Sequence, residues 1–319
     1  MAKCRKCGRE AEYKVSFGKL WFCREHFIEY FEKRVIETIR RFKMVKPGDK
    51  VAVAVSGGVD SMSLLAVLTR RREELGLERI TGLHLNFGIN GFSDILEGRV
   101  KEYCSLMNVQ CSILRLRDLI GVSLPELALK ARRPPCSVCG LVKRYVFTAF
   151  AWRNGFTALF TGHHLDDIVV YMLKDIYTGD FKSLASLKPL QRLDDLPVKA
   201  KPLILVSKSD IETYARLSGV PYIEVNCPFK HKSDVEKSIE DFIASLQALN
   251  PAAKLTVFSS IIKLIEDYIE PKESSNLLKC EVCGMPSSSR ECSFCRMTRR
   301  TLGVSMGPRV LEKVRVYSL

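Results

Sequence analysis

A short, mostly apolar run at residues 50–55 ("KVAVAV") stops at two glycines and gives way to a segment with Met62, Leu65, Ala66 and Leu68 on one side. That pattern reads as strand, tight loop and helix. Residues 80–89 ("ITGLHLNFGI"), 109–118 ("VQCSILRLRD") and 156–164 ("FTALFTGHH") have the apolar character of further strands, while 93–108 and 140–154 carry helical spacing. Repeated strand–helix alternation predicts an α/β fold, a doubly wound parallel sheet, in which ligands lie beyond the carboxyl ends of the strands. The loop at 56–61, His84 and the segment "TGHHLDD" (161–167) all fall at such ends and should converge. Upstream, "FIEYFEKRVIETIRRFKM" (27–44) is an amphipathic helix, helical segments continue to about 270, and "PKESSN" (271–276) reads as a linker. The division expected is a small module at 1–30, a linking helix at 31–47, the sheet domain at 48–228, a helical extension at 229–273 and a second small module with a tail at 274–319.

The loop chemistry points to a phosphate. Gly57 and Gly58 let backbone N–H groups approach an anion, Ser56 and Ser61 add hydroxyls, and a helix N-terminus adds positive potential. The sequence is neither GxxxxGK[ST] nor GxGxxG, because the lysine is absent and the glycines are adjacent. Asp60, at the helix start, can serve as a cap or as a ligand to Mg²⁺. Within "TGHHLDD", Gly162, His163, His164, Asp166 and Asp167 make either an active-site corner or a pair of carboxylates that merely complement a helix dipole. A helix starting near Gly140 would aim Lys143 back toward Cys139, where its cation could meet phosphate or an anionic intermediate, or simply sit at the surface.

Twelve cysteines sharpen the picture, and their spacing favours metal ligands over crosslinks in a cytosolic chain. Cys4, Cys7, Cys23 and His26 form CxxC, fifteen residues, CxxH; Cys280, Cys283, Cys292 and Cys295 form CxxC, eight residues, CxxC. Each set closes a tetrahedral Zn²⁺ of the structural kind, whose binding supplies folding energy that so short a segment cannot gain from burial. Cys136 and Cys139 in "RRPPCSVCGLVKR" have no second pair beside them; the next cysteine is Cys227 in "VNCPFK". Three thiolates can hold three corners of an iron–sulfur cubane and leave one iron open. A thiol pair working by disulfide or persulfide exchange, and a third zinc completed by His231, are the competing readings. Cys104 and Cys111, each beside apolar residues, read as small buried side chains.

Charge adds a partner class. Fifty Lys and Arg against 36 Asp and Glu leave a formal net charge of +14, spread over clusters such as "KARRPP" and "CRMTRR". Such a surface suits a large folded nucleic acid, bound through counterion release, with a thermophile's charged exterior as the plainer alternative. Arg5, Lys6 and Arg9 in one module and Arg296, Arg299 and Arg300 in the other are placed either to grip RNA or to brace the fold. No run of roughly 18 apolar residues appears and the N-terminus is charged, so neither a membrane span nor a secretory signal is expected, and the cytosol is the expected compartment.

Taken together, "AVSGGVDS", "LHLNFGI", "RRPPCSVCGLVKRY", "TGHHLDD", "KPL", "NCP" and the two terminal cysteine modules resemble the tRNA 2-thiolation enzymes of the PP-loop ATP pyrophosphatase superfamily, above all the TtuA group, along nearly the whole chain. The resemblance implies a reaction in which ATP adenylates O2 of a tRNA uridine and sulfur then displaces AMP, at uridine 54 of the T-loop or, as the second choice, at wobble uridine 34. It implies an ATP site of Ala54, Ser56, Gly57, Gly58, Asp60 and Ser61, lined also by His84 and Gly162; a [4Fe-4S] cluster on Cys136, Cys139 and Cys227; and catalytic roles for Lys143, Asp167 and Asp60. Mg²⁺ and two zinc ions complete the cofactors. A ubiquitin-like protein bearing a C-terminal thiocarboxylate is the implied sulfur source, and a homodimer is in keeping with the relatives. Val59 departs from the lysine of SGGKDS, His164 from the asparagine of GHNLDD, Ile168 from the glutamate that often follows, and "CPFKHKS" lacks the usual small residues. An amide-forming PP-loop ligase has no need of three thiolates, and an inactive RNA-binding paralogue has no need of an intact SGGxDS.

Overall fold

The computed structural model describes residues 2–193, 195–224, 226–230, 232–269 and 278–317. Along the chain run β1 (Tyr13–Lys14), β2 (Trp21–Phe22), α1 (Arg24–Arg41), β3 (Lys50–Ala54), α2 (Val59–Arg70), β4 (Arg79–Asn86), α3 (Ser93–Leu106), β5 (Cys111–Arg115), α4 (Leu116–Ile120), α5 (Leu124–Ala131) and α6 (Pro135–Arg153). They are followed by β6 (Ala158–Thr161), α7 (Leu165–Thr178), α8 (Phe181–Ser186), β7 (Leu190–Gln191), β8 (Val198–Ala200), α9 (Lys208–Ser218), α10 (Asp234–Leu249) and α11 (Ala253–Tyr268). Last come β9 (Leu278–Lys279), β10 (Pro286–Ser287), α12 (Ser293–Leu302) and α13 (Gly307–Lys313).

The central sheet has the strand order β5-β4-β3-β6-β8-β7, with every neighbour parallel except β7 against β8. Its chain order reverses between β4–β3 and β3–β6, the switch point at which open α/β sheets bind ligands. Alternation along each strand feeds two cores. Val51, Val53 and Phe160 point to one face, shared with the N-terminal module, α1, α2 and α9. Ala52, Leu83, Leu85 and Leu159 point to the other, shared with α4, α5, α6 and the C-terminal module. A third cluster joins α7 and α8 to α10 and α11.

Helix α1 buries Phe27, Phe31, Val35, Ile36 and Ile39 at three- and four-residue spacing, and Phe31 stacks on Tyr214 of α9 with ring centres 4.2 Å apart. The C-terminal module is welded to α6: Tyr145 stacks on Phe294 at 4.0 Å, and its hydroxyl donates to the Gly307 carbonyl at 3.2 Å. Among the described residues no single helix is long and apolar enough to cross a membrane; the apolar pair α10 and α11 bends by 115° at its junction and packs on α7.

Three expectations are corrected. Cys104 and Cys111 are joined to each other by a disulfide, which staples the end of α3 to the start of β5. Their apolar neighbours and the expectation of few crosslinks in a cytosolic chain concealed the pairing. The strand expected at 109–118 ends at Arg115, where Leu116 opens α4. Helix α6 begins at Pro135 rather than near Gly140, since Pro134 and Pro135 preset the backbone of a first turn and cost it no hydrogen bond. His231 and the linker 271–276 lie outside the described residues.

Candidate active site

Strand β3 ends at Ala54 and the chain turns through Ser56 and Gly57 into α2. Gly57 has φ +84°, a conformation that costs other residues a Cβ clash. The Ser61 hydroxyl closes the turn by accepting from the Ser56 amide at 3.1 Å and donating to the Gly58 carbonyl at 3.2 Å. Gly162, after β6, lies against this turn so closely that a Cβ there would sit 3.0 Å from the Ser61 nitrogen and 3.1 Å from its Cα. The amides of the turn, the N-terminus of α2 and the Ser56 hydroxyl, which is exposed, are therefore gathered at the switch point.

His84 closes the floor. Its Nδ1 lies 2.9 Å from the Val55 carbonyl, an acceptor only, so the hydrogen-bond network puts the proton on Nδ1. Nε2 is left as a buried acceptor without a partner among the described residues, and burial holds the ring's pKa below its ordinary value. An orphaned buried acceptor beside an anion-binding turn fits a nucleotide, which carries donors as well as phosphates.

Asp166 and Asp167 have different jobs. Asp166 accepts from the Lys208 amide at 2.9 Å and pairs with Lys254, tying α7 to α9 and α11. Among the described residues the Asp167 carboxylate pairs with His164, whose Nε2 lies 3.3 Å from it and 3.8 Å from that of Asp60. His164 itself caps α7, its Nδ1 accepting from the Asp167 amide at 3.4 Å. The carboxylates of Asp60, Asp166 and Asp167 thus all lie within 3.8 Å of one imidazole.

Cys136 and Cys139 occupy the first turns of α6, with Cys136 exposed and donating to the Phe229 carbonyl at 3.0 Å, two residues past Cys227. Burial pushes the Cys139 thiol up in pKa, the nearby sulfurs of Cys227 and Cys136 push the same way, and the Lys143 ammonium opposes them. The three sulfurs are therefore neighbours, though spread more widely than the zinc-type sets. With Cys104 and Cys111 bonded to each other and seven cysteines placed in the terminal modules, no cysteine remains for a fourth corner. A soft, three-thiolate donor set with one corner free fits an iron–sulfur cubane. Lys143 lies over the Phe87 ring at 5.3 Å, within electrostatic reach of Cys139, His84 and His163.

The terminal modules match their spacing. Cys4, Cys7, Cys23 and His26 bring their ligand atoms within 4.8 Å of one another, as do Cys280, Cys283, Cys292 and Cys295, and each set could hold a metal ion. The basic flanks are partly committed: Lys6 pairs with Glu29, Arg9 with Glu25, and Arg299 with Glu291.

Sequence reasoning missed Lys208, whose ammonium sits 2.7 and 2.9 Å from the two oxygens of Asp60. The local signal was "SKSD", a Ser-x-x-Asp start in which Ser207 accepts from the Asp210 amide and opens α9. It also missed Asn86, which donates to Asp94 and Glu97 of α3 at 2.9 and 2.8 Å and accepts from the Gly88 amide at 2.8 Å, fixing the end of β4.

Two family models match: a PP-loop domain over residues 29–227, and the N-terminal LIM domain of the 2-thiouridine synthetase TtuA over residues 3–28. The tRNA-5-methyluridine(54) 2-sulfurtransferase of Pyrococcus horikoshii is 37% identical over 92% of this chain and 93% of its own length. The chain belongs to the PP-loop tRNA 2-thiouridine synthetase family. Another family member, the tRNA-5-methyluridine(54) 2-sulfurtransferase of Thermotoga maritima, is 35% identical over 93% of this chain and 96% of its own length. Among solved structures of the family, the U34-tRNA thiolase NcsA from Methanococcus maripaludis, with its [4Fe-4S] cluster, aligns with a TM-score of 0.80 at 25% identity, covering 94% of this chain and 96% of that one.

Proposed function

We propose that the chain is an ATP-dependent tRNA-uridine 2-sulfurtransferase acting at uridine 54 of the T-loop. The observation that carries the reading is that the Lys143 ammonium lies within electrostatic reach both of Cys139 in the three-cysteine set and of His84 beside the nucleotide turn. ATP would lie with its phosphates on the amides of Ser56, Gly57 and Gly58 and the N-terminus of α2, its Mg²⁺ on Asp60. The uridine O2 attacks the α-phosphorus and pyrophosphate leaves; sulfur then attacks C2, and AMP departs with the former uridine oxygen. Lys143 offsets the negative charge that builds during both displacements, and Asp167, steadied by His164, handles the proton. Cys136, Cys139 and Cys227 would hold the [4Fe-4S] cluster, whose open iron would supply a binding place for the incoming sulfur. Zn²⁺ in the two terminal modules would serve folding alone. The basic surface suits tRNA, and the resemblance supplies the thiocarboxylate-bearing carrier protein and a homodimer.

Wobble uridine 34 is the second reading, favoured by the U34 thiolase whose structure aligns so fully. The 37% and 35% identity to the uridine-54 enzymes outweighs it. Mass spectrometry of tRNA from a deletion strain, mapped by position, decides. Loss of 2-thiolation at 54 supports the proposal, loss at 34 replaces it, and unchanged tRNA sulfur ends both.

A further inference from the structure

The nucleotide turn from Ser56 to Ser61 carries one charged side chain, Asp60, and it is negative. A polyphosphate arriving there meets like charge unless cations come from elsewhere. The position before Asp60 cannot supply one, because the Val59 side chain is spent on packing and only 8% exposed. The cation at this carboxylate is Lys208, the first residue of α9, which reaches across to hold both Asp60 oxygens at 2.7 and 2.9 Å. Its backbone is anchored separately: the Lys208 amide donates to Asp166, and Asp166 is itself paired with Lys254. The long side chain can therefore change partner without moving the helix, and Glu212, one turn on, already lies 3.9 Å from the ammonium.

As a strut the pair does little. Both side chains are about one-third exposed, at 34% and 29%, and such ion pairs contribute little stability. Helix α9 is held without it, by Asp166, by the buried Phe31–Tyr214 stack and by Arg24 donating to the Leu217 carbonyl at 2.8 Å. What the pair does accomplish is to keep an ammonium beside the nucleotide turn.

We propose that Lys208 is a polyphosphate ligand of the nucleotide site, held on Asp60 while the site is empty. When nucleotide enters with a divalent cation, the hard, doubly charged ion takes the Asp60 carboxylate, and the displaced ammonium turns to the β- and γ-phosphate oxygens. Lys208 thus serves in trans, from α9, the charge that the turn lacks in its own sequence. The inference rests on the ATP reading given above.

Calorimetric titration of the intact protein at saturating Mg²⁺ tests it, with ATP, pyrophosphate and AMP as separate ligands. Lys208→Met should weaken ATP and pyrophosphate by roughly tenfold or more, the loss of one charge-assisted contact, and leave AMP within about twofold. Lys208→Arg should restore ATP to within about threefold of the original, since a cation survives. If Lys208→Met binds ATP like the unaltered protein, or loses ATP and AMP equally, Lys208 is a strut and the proposal is wrong. If the unaltered protein binds no ATP at all, it is the nucleotide reading that fails, and this proposal with it.

Discussion

The amide of Ile223 donates to the carbonyl of Gly57 at 2.9 Å, so the segment that leads to Cys227 is fastened to the nucleotide turn itself. Under the proposed assignment Cys227 follows a segment fixed to the loop that would bind ATP, while Cys136 and Cys139 take their positions from α6. Displacement of the turn should be felt at the sulfurs.

Gly162→Ala places a methyl 3.0 to 3.2 Å from backbone atoms of Ser61 and Asp60, none of which is the free end of a side chain. Overpacking of that kind costs about 1–3 kcal/mol. Calorimetry should show ATP affinity reduced by roughly tenfold or more at that cost. Unchanged affinity would mean that the two loops need not approach so closely.

Cys227→Ala removes one of the three sulfurs and no contact of the nucleotide turn. After anaerobic reconstitution the visible iron–sulfur absorption should disappear while ATP binding stays within about threefold. Retained absorption would falsify the three-cysteine assignment.

Reduction of Cys104–Cys111 opens a crosslink with a sequence separation of 7. Chain-entropy reasoning for so short a loop gives a loss of about 2.5 kcal/mol. Denaturant unfolding with and without reductant, or of Cys104→Ser against the parent, should show a lower midpoint. Identical curves would show that the bond is absent in solution.

Glu97 is buried and held down to about 2, first by the Arg115 guanidinium, whose nitrogens lie 2.9 and 2.5 Å from its oxygens, and then by Lys101 and Asn86. A carboxylate with a depressed folded pKa contributes stability above its ordinary pKa, and that stability is lost as pH falls through the ordinary value toward about 2. The contribution is up to about 3 kcal/mol at neutral pH. Glu97→Gln should flatten the acid limb of the stability profile below pH ~4. A parallel acid limb in the variant would remove Glu97 from the account.

Phe294→Ala deletes the ring that stacks on Tyr145 in the core beneath α6. The cost should be about 3–5 kcal/mol. Because Cys136 and Cys139 ride on that helix, reconstituted iron should fall along with the melting temperature. Normal iron content in a destabilised variant would separate the module from the cysteine site.

The parallel sheet was legible in the sequence because buried strands write themselves as apolar runs, as at 50–55 and 80–89, and the turn between them as paired glycines. The two tetrahedral sets were legible because their ligands come in CxxC and CxxH pairs close along the chain. Lys208 and the Cys104–Cys111 bond were not. The Cys104–Cys111 bond, between residues seven apart, was hidden because crosslinks are rare in a cytosolic chain, whereas Lys208 depends on elements that become neighbours only after the sheet is assembled, α9 beside α2. The differing duties of Asp166 and Asp167 were hidden for the same reason, since adjacent identical residues are told apart only by what packs against them.

The C-terminal module contributes Phe294, Cys295, Val310, Leu311 and Val314 to the core beneath α6. During synthesis that half of the molecule stays incomplete until Val314 has left the ribosome, whereas the half containing the N-terminal module, α1 and β3 can begin to form much earlier. The helix bearing Cys136 and Cys139 is then among the last to be seated. On the proposed assignment iron insertion would follow translation, and loss of Phe294, Val310, Leu311 and Val314 from this core would cost the cysteine site before the nucleotide turn.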